Sequence, residues 1–218
     1  MRIAWIALPA SLLLAGAGLW MGLHARPSFR DFTLEARHRF TPQMERAAAD
    51  KAHASAPGLD AVDAAGHPLK LVGLTGHGST FLVFIKDGCP CSSDAQPFFN
   101  RFFEAYGAKV AFAGVIDVES APAARWAADH TMAYPIVPDY RLKVVRAYGA
   151  VSSAYSALIG HDGKIVRMWP GYSRAILTDI NKKLSAAAGM PERPIDFSVA
   201  PTEPATGCSF SEVLPPSG

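Results

Sequence analysis

Residues 80–85 read TFLVFI, residues 86–94 read KDGCPCSSD, and residues 95–107 read AQPFFNRFFEAYG. The first piece is a continuous apolar run of β-formers, the pattern of a strand buried on both faces. The second combines Gly, Pro and two Cys and describes a loop. In the third, Phe98, Phe99, Phe102, Phe103 and Tyr106 recur at helical spacing, with Gly107 placed as a C-cap. Strand, turn and helix follow one another, and Cys89 stands where the strand gives way to the helix.

The alternation continues outward from this unit. Residues 109–116, KVAFAGVI, form a second buried strand, and 121–130 read as a helix. Residues 134–138 are a short extended piece, and 142–148 a short helix stopped at Gly149. Residues 156–160 and 164–169 make a hairpin around His161-Asp162-Gly163, where Asp-Gly is a strong turn signal. Residues 173–188 close the domain as an amphipathic helix ending at Gly189. Upstream, Ala61-Val62-Asp63 and the LKLV of 69–72 flank a turn over 64–68. Strands alternating with helices, then a hairpin and a helix, predict an α/β sheet with helices on both faces.

The chain has 218 residues, half of them hydrophobic, with three Cys. That length suits one domain with extensions, and the cysteines are too sparse for a disulfide scaffold. Lys and Arg total 21 against 19 Asp and Glu, without a long basic run, so no nucleic-acid partner is expected. No cofactor motif appears.

The apolar excess concentrates at the amino terminus. Residues 3–23, IAWIALPASLLLAGAGLWMGL, are uncharged and long enough for a hydrocarbon core of roughly 30 Å. A cleaved signal peptide competes with an uncleaved signal anchor. Ala15-Gly16-Ala17 is the one A-x-A-like site and falls inside the run, while Trp20 suits a membrane interface, so residues 1–23 read as an anchor. Arg26, Arg30 and Arg37 follow closely and pull against export under the positive-inside rule. The thiol chemistry below favours export, placing the domain on the periplasmic or extracytoplasmic side. Residues 24–57, with Ala-rich stretches, then read as a helical or loosely ordered stalk, 58–189 as the domain, and 190–218, rich in Pro, as an extended tail.

Cys89 opens a helix, whose unpaired N–H groups and positive dipole end lower a thiol pKa. Pro90 suits the first turn, because it lacks the donor that would go unpaired there. Strand-to-helix turns are also where open α/β sheets place their sites. Cys89 is therefore the candidate nucleophile and Cys91 a resolving or second thiol. A Cys-x-Cys disulfide closes a small, strained ring, and strain makes it easily reduced. Lys86 is a candidate thiolate stabiliser. Cys208, on a tether that spans up to roughly 60 Å, is a further candidate resolving thiol. The competing reading makes Cys89, Cys91 and His130 soft ligands for Cu(I) in a non-catalytic module.

These pieces resemble the thioredoxin-like redoxins of the alkyl hydroperoxide reductase/thiol-specific antioxidant family over about residues 58–188. The resemblance is carried by Gly58-Leu59 through Asp63-Ala64-Ala65-Gly66 with Leu69-Lys70-Leu71, by 81–85 leading into Cys89-Pro90, and by WAADHTMAYPIVPDYRLKVVRAYG at 126–149. Leu158-Ile159 and Asp162-Gly163-Lys164-Ile165-Val166 complete it. It implies a central mixed sheet of four or more strands flanked by helices, and a nucleophile at Cys89. It also implies thiol, disulfide or peroxide substrates and a reductant partner. This chain departs from the family in three places. Lys86 stands where peroxiredoxins carry Thr or Ser, Ala154 where thioredoxin-like proteins carry a cis-proline, and Ser92 where the second Cys usually sits.

Overall fold

The computed structural model describes residues 38–73 and 78–210. The apolar segment expected to anchor the chain lies outside the described residues. Among the described residues, no helix is long and apolar enough to cross a membrane.

The chain enters through β1 (His38–Arg39) and α1 (Pro42–Ala49). Thr41 caps α1, its hydroxyl accepting from the Met44 N–H at 3.2 Å. A small hairpin follows, β2 (Asp60–Val62) against β3 (Pro68–Lys70), its turn tied by the Asp63 carboxylate to the N–H groups of Ala65 and His67. Then come β4 (Ser79–Ile85), α2 (Pro90–Tyr106), β5 (Val110–Ile116), α3 (Ser120–Asp129) and β6 (Ile136–Pro138). The remaining elements are α4 (Lys143–Tyr148), β7 (Tyr155–Ile159), β8 (Ile165–Trp169), α5 (Arg174–Ala188) and β9 (Ala205–Thr206).

The main sheet has the order β6-β5-β4-β7-β8, with β4, β5 and β6 parallel and β7 and β8 antiparallel to their neighbours. It is the helix-flanked α/β sheet that the alternation of the sequence predicts, and it is mixed as the resemblance implies. Strand β4 is central and buried throughout. Its side chains alternate between two cores, as strand geometry requires. Phe81, Val83 and Ile85 face α2, α3 and α5, meeting Phe99, Phe102, Trp126, Leu177 and Ile180. Leu82 and Phe84 face the opposite layer with Ala48, Val145 and Tyr148. Burying each of these large side chains stabilises the fold by about 1.5–3 kcal/mol.

Gly107 ends α2 with φ −60°, so it is not the left-handed cap its sequence position suggests. It is needed for closeness instead, since a Cβ there would lie 2.6 Å from the Phe103 ring. The described part of the expected stalk packs on the domain. Ala48 is buried, and backbone bonds link His53 to Ile165 and Ala56 to Gly163. The cause is the apolar face of α1, which has the second core to bury against.

The tail has no helix or strand over 190–204 and turns once, the Ala200 N–H donating to the Phe197 carbonyl at 3.0 Å, but it is not a loose tether. Phe197 packs its ring on Phe98 and Phe102, with centroids 6.2 and 5.7 Å apart. Farther on, β9 pairs antiparallel with β1, and Ala205, Thr206 and Phe210 are buried.

Candidate active site around Cys89

Strand β4 ends at Ile85, and the loop Lys86-Asp87-Gly88 turns the chain into α2. Gly88 has φ +69°, a conformation glycine adopts without steric cost. Cys89 is the N-cap of α2 in extended conformation, with Pro90 starting the first turn. Its carbonyl accepts from the N–H of Ser92 at 3.0 Å. The loop is pinned from within by Ser92 Oγ, which accepts from the Lys86 N–H at 3.1 Å. It is pinned from β5 by Asp117, which takes the Lys86 ammonium at 3.1 Å and the Asp87 N–H at 2.8 Å.

The Cys89 side chain is 2% exposed. Its Sγ accepts a hydrogen bond from Ser153 Oγ at 3.3 Å and another from the Cys208 N–H at 3.1 Å. The Cys91 and Cys208 thiols also donate to it. Together these hold the Cys89 pKa down to about 3, the Cys91 thiol contributing most, and they overcome the opposing effect of burial. Tyr172 is pushed the other way, mainly by burial and then by negative charge at Cys91, Asp94 and Cys89. None of the three cysteines is in a disulfide.

Three of the sequence-derived candidates thus converge: Cys89, Cys91 and Cys208. Lys86 lies on the same loop, but its ammonium is held by Asp117, and its carbonyl rather than its charge meets Cys89, accepting the N–H at 3.3 Å. His130 is placed apart from them. Its Nδ1–H donates to the Trp126 carbonyl at 2.8 Å, its Nε2 accepts from Ser93 Oγ at 2.9 Å, and its ring stacks on Trp126. Both ring nitrogens are occupied. Among the described residues, no group of three His, Cys, Asp or Glu could hold a metal ion, so Cys89, Cys91 and His130 do not form the Cu(I) trio that the competing reading required.

Sequence reading missed Ser153 and Asp117. Ser153 precedes Ala154, whose φ of +60° is unusual for a residue with a Cβ, and no cis peptide bond occurs among the described residues. In the sequence, only Ala154 stood out here, as the place where a proline was missing. Asp117 directly follows a buried strand, a position that faces the same end of the sheet as Cys89.

A reactive-type thiol at the start of the helix after the central strand, on this sheet order, defines a thioredoxin-like protein. The Redoxin family profile matches residues 47–184, and the chain belongs to that family. It is a divergent thioredoxin-like redoxin, as the resemblance of its motifs led us to expect. No curated protein matches it in sequence. Among solved structures, it is similar to an uncharacterized conserved protein from Geobacillus kaustophilus, with 20% identity and a TM-score of 0.61 over 77% of this chain and 94% of that one. A secreted Mycobacterium tuberculosis disulfide oxidoreductase homologous to E. coli DsbE aligns at 15% identity and TM-score 0.51, over 59% and 96% of the two chains. The Xanthomonas campestris bacterioferritin comigratory protein, described for its alkyl peroxide reduction activity, aligns at 17% identity and TM-score 0.52, over 71% and 99%. At these identities the likeness is one of fold.

Proposed function

We propose that this redoxin is a thiol-dependent oxidoreductase in which Cys89 attacks as a thiolate. The observation that carries the reading is the set of donors converging on Cys89 Sγ, two of them thiols able to complete an exchange. With a disulfide substrate, the Cys89 thiolate bonds to one sulfur, the substrate S–S bond breaks, and the other sulfur leaves as a thiolate. Cys91 or Cys208 then loses its proton, attacks Cys89 and releases the second substrate thiolate. Two protein thiols are oxidised by two electrons, and one disulfide is reduced to two thiols. With a hydroperoxide, the Cys89 thiolate takes the distal oxygen as the O–O bond breaks, becoming a sulfenic acid, and the leaving alkoxide takes a proton from solvent and departs as an alcohol. The second thiol then condenses with the sulfenic acid, releasing water. An external thiol reductant closes either cycle.

Stabilising the thiolate stabilises the reduced protein, so the disulfide form is an oxidising one. We assign the domain to the exported side of a membrane, tethered by residues 1–23, where such a couple has oxidisable partners. The test is turnover with an added oxidant and dithiol. Cys89→Ser should be inert, and undiminished turnover in that variant, with Cys91 and Cys208 present, would refute the assignment.

A further inference from the structure

The C-terminal segment does more to the site than deliver a thiol. Its path is fixed by backbone pairing on one side of the Cys89 sulfur. Tyr172 and Ala205 exchange two bonds, at 2.8 and 2.9 Å. Ser153 then gives its N–H to the Cys208 carbonyl and its carbonyl to the Gly207 N–H, both at 3.0 Å. Phe210 donates to the Val151 carbonyl at 3.1 Å, and the Ser152 and Thr206 hydroxyls meet at 2.6 Å. Two glycines make this closeness feasible. A Cβ at Gly171 would run into the Ala205 carbonyl, and one at Gly207 into Ser153 Oγ.

An extended polypeptide that offered a disulfide to Cys89 would need backbone partners beside the sulfur. Both main-chain groups of Ser153 are already taken by the chain itself. The segment 205–208 lies where such a peptide would lie, carrying a cysteine of its own against Cys89. We propose that residues 201–210 are a specificity element: while docked, they exclude polypeptide disulfides and leave Cys89 to small oxidants, a hydroperoxide or a low-molecular-mass disulfide. This rests on the reading of Cys89 as the attacking thiol.

The test uses the full chain, reduced, in single-turnover oxidation by three probes: hydrogen peroxide, a small aliphatic disulfide, and insulin as a polypeptide disulfide. The readout is the ratio of the insulin rate to the small-disulfide rate, which cancels any change in thiolate fraction. Gly207→Val, which pushes the segment off Ser153, should raise that ratio by about 30-fold, the worth of two net backbone hydrogen bonds. A chain ending at Glu203 should raise it at least as far. The small-disulfide rate reports whether each variant keeps an intact site; where it is lost, the wild-type ratio decides alone. The peroxide arm separates the two small oxidants. A wild-type ratio near unity, or a ratio unmoved in both variants, overturns the inference. Oxidation at an undiminished rate in Gly207→Val carrying Cys89→Ser overturns instead the assignment of Cys89.

Discussion

Two stretches of chain surround the Cys89 sulfur, and they are built differently. The turn from Ile85 to Cys91 is one continuous piece whose shape follows from local rules. A buried strand ends, Gly88 reverses the chain, and a proline-started helix begins. Its pins are mostly short-range, such as the bond between Lys86 and Ser92 six residues apart. The C-terminal segment reaches the same sulfur from 119 residues away, and Ser153 from 64. The local piece supplies the nucleophile and fixes its direction. The Cys91 thiol of that local piece lowers its pKa most, and the distant pieces add further donors that favour the thiolate. Closing long loops costs little more entropy than closing short ones, so a sulfur can be tuned from far along the chain.

Breaking the local half should have the largest effect. Cys89→Ser should reduce turnover to the rate of the uncatalysed exchange, measured with either a disulfide or a peroxide. The next effect is in pH. With a pKa of about 3 in the folded chain, Cys89 alkylation should be nearly level from about pH 5 to 8, whereas in the unfolded chain it should climb toward about 8.5. The sign for stability follows from proton uptake. Between the two pKa values the unfolded chain binds a proton that the folded chain does not, so the reduced protein gains stability as pH rises through that window. The gain is complete above the unfolded thiol pKa and gone once pH falls below about 3. A melting temperature of the reduced protein that ignored Cys89→Ser across this range would contradict the thiolate.

The distant half should respond more gently. Ser153→Ala removes one donor and leaves the others, so the Cys89 pKa should rise by about one unit. Ultraviolet absorbance of the thiolate during titration would measure it. Lys86→Met should move that pKa least, because the ammonium serves Asp117. Its cost should appear in stability instead, at about 3–5 kcal/mol, since it strands a buried carboxylate. A larger pKa shift for Lys86→Met than for Ser153→Ala would reverse the proposed division of labour.

The same contrast explains what could be read from the chain beforehand. TFLVFI and KVAFAGVI are legible because strands buried on both faces need unbroken apolar runs. Cys89 is legible because a strand-to-helix turn has a recognisable grammar of Gly, Pro and helical aromatics. Ser153 is not, being one of many serines, and its role depends on a fold bringing residues 64 apart together. Cys208 was legible as a thiol but not in its place. The segment docks largely through backbone groups, which are the same at every residue, and only the bare Cα atoms of Gly171 and Gly207 hint at a close approach. The docking of helix α1 escaped for a similar reason, since a short Ala-rich stretch gives no sign of the surface that will receive it.

The separation of Cys89 and Cys208 also sets an order of events during synthesis. At roughly 5–20 residues per second, Cys89 and Cys91 leave the ribosome about ten seconds before Cys208. For that interval the near pair exists without its distant companion and without the cover of residues 205–210. A first oxidant met then can join only Cys89 to Cys91. Docking of the finished tail is the moment at which the newborn thiol acquires its shelter and its third partner.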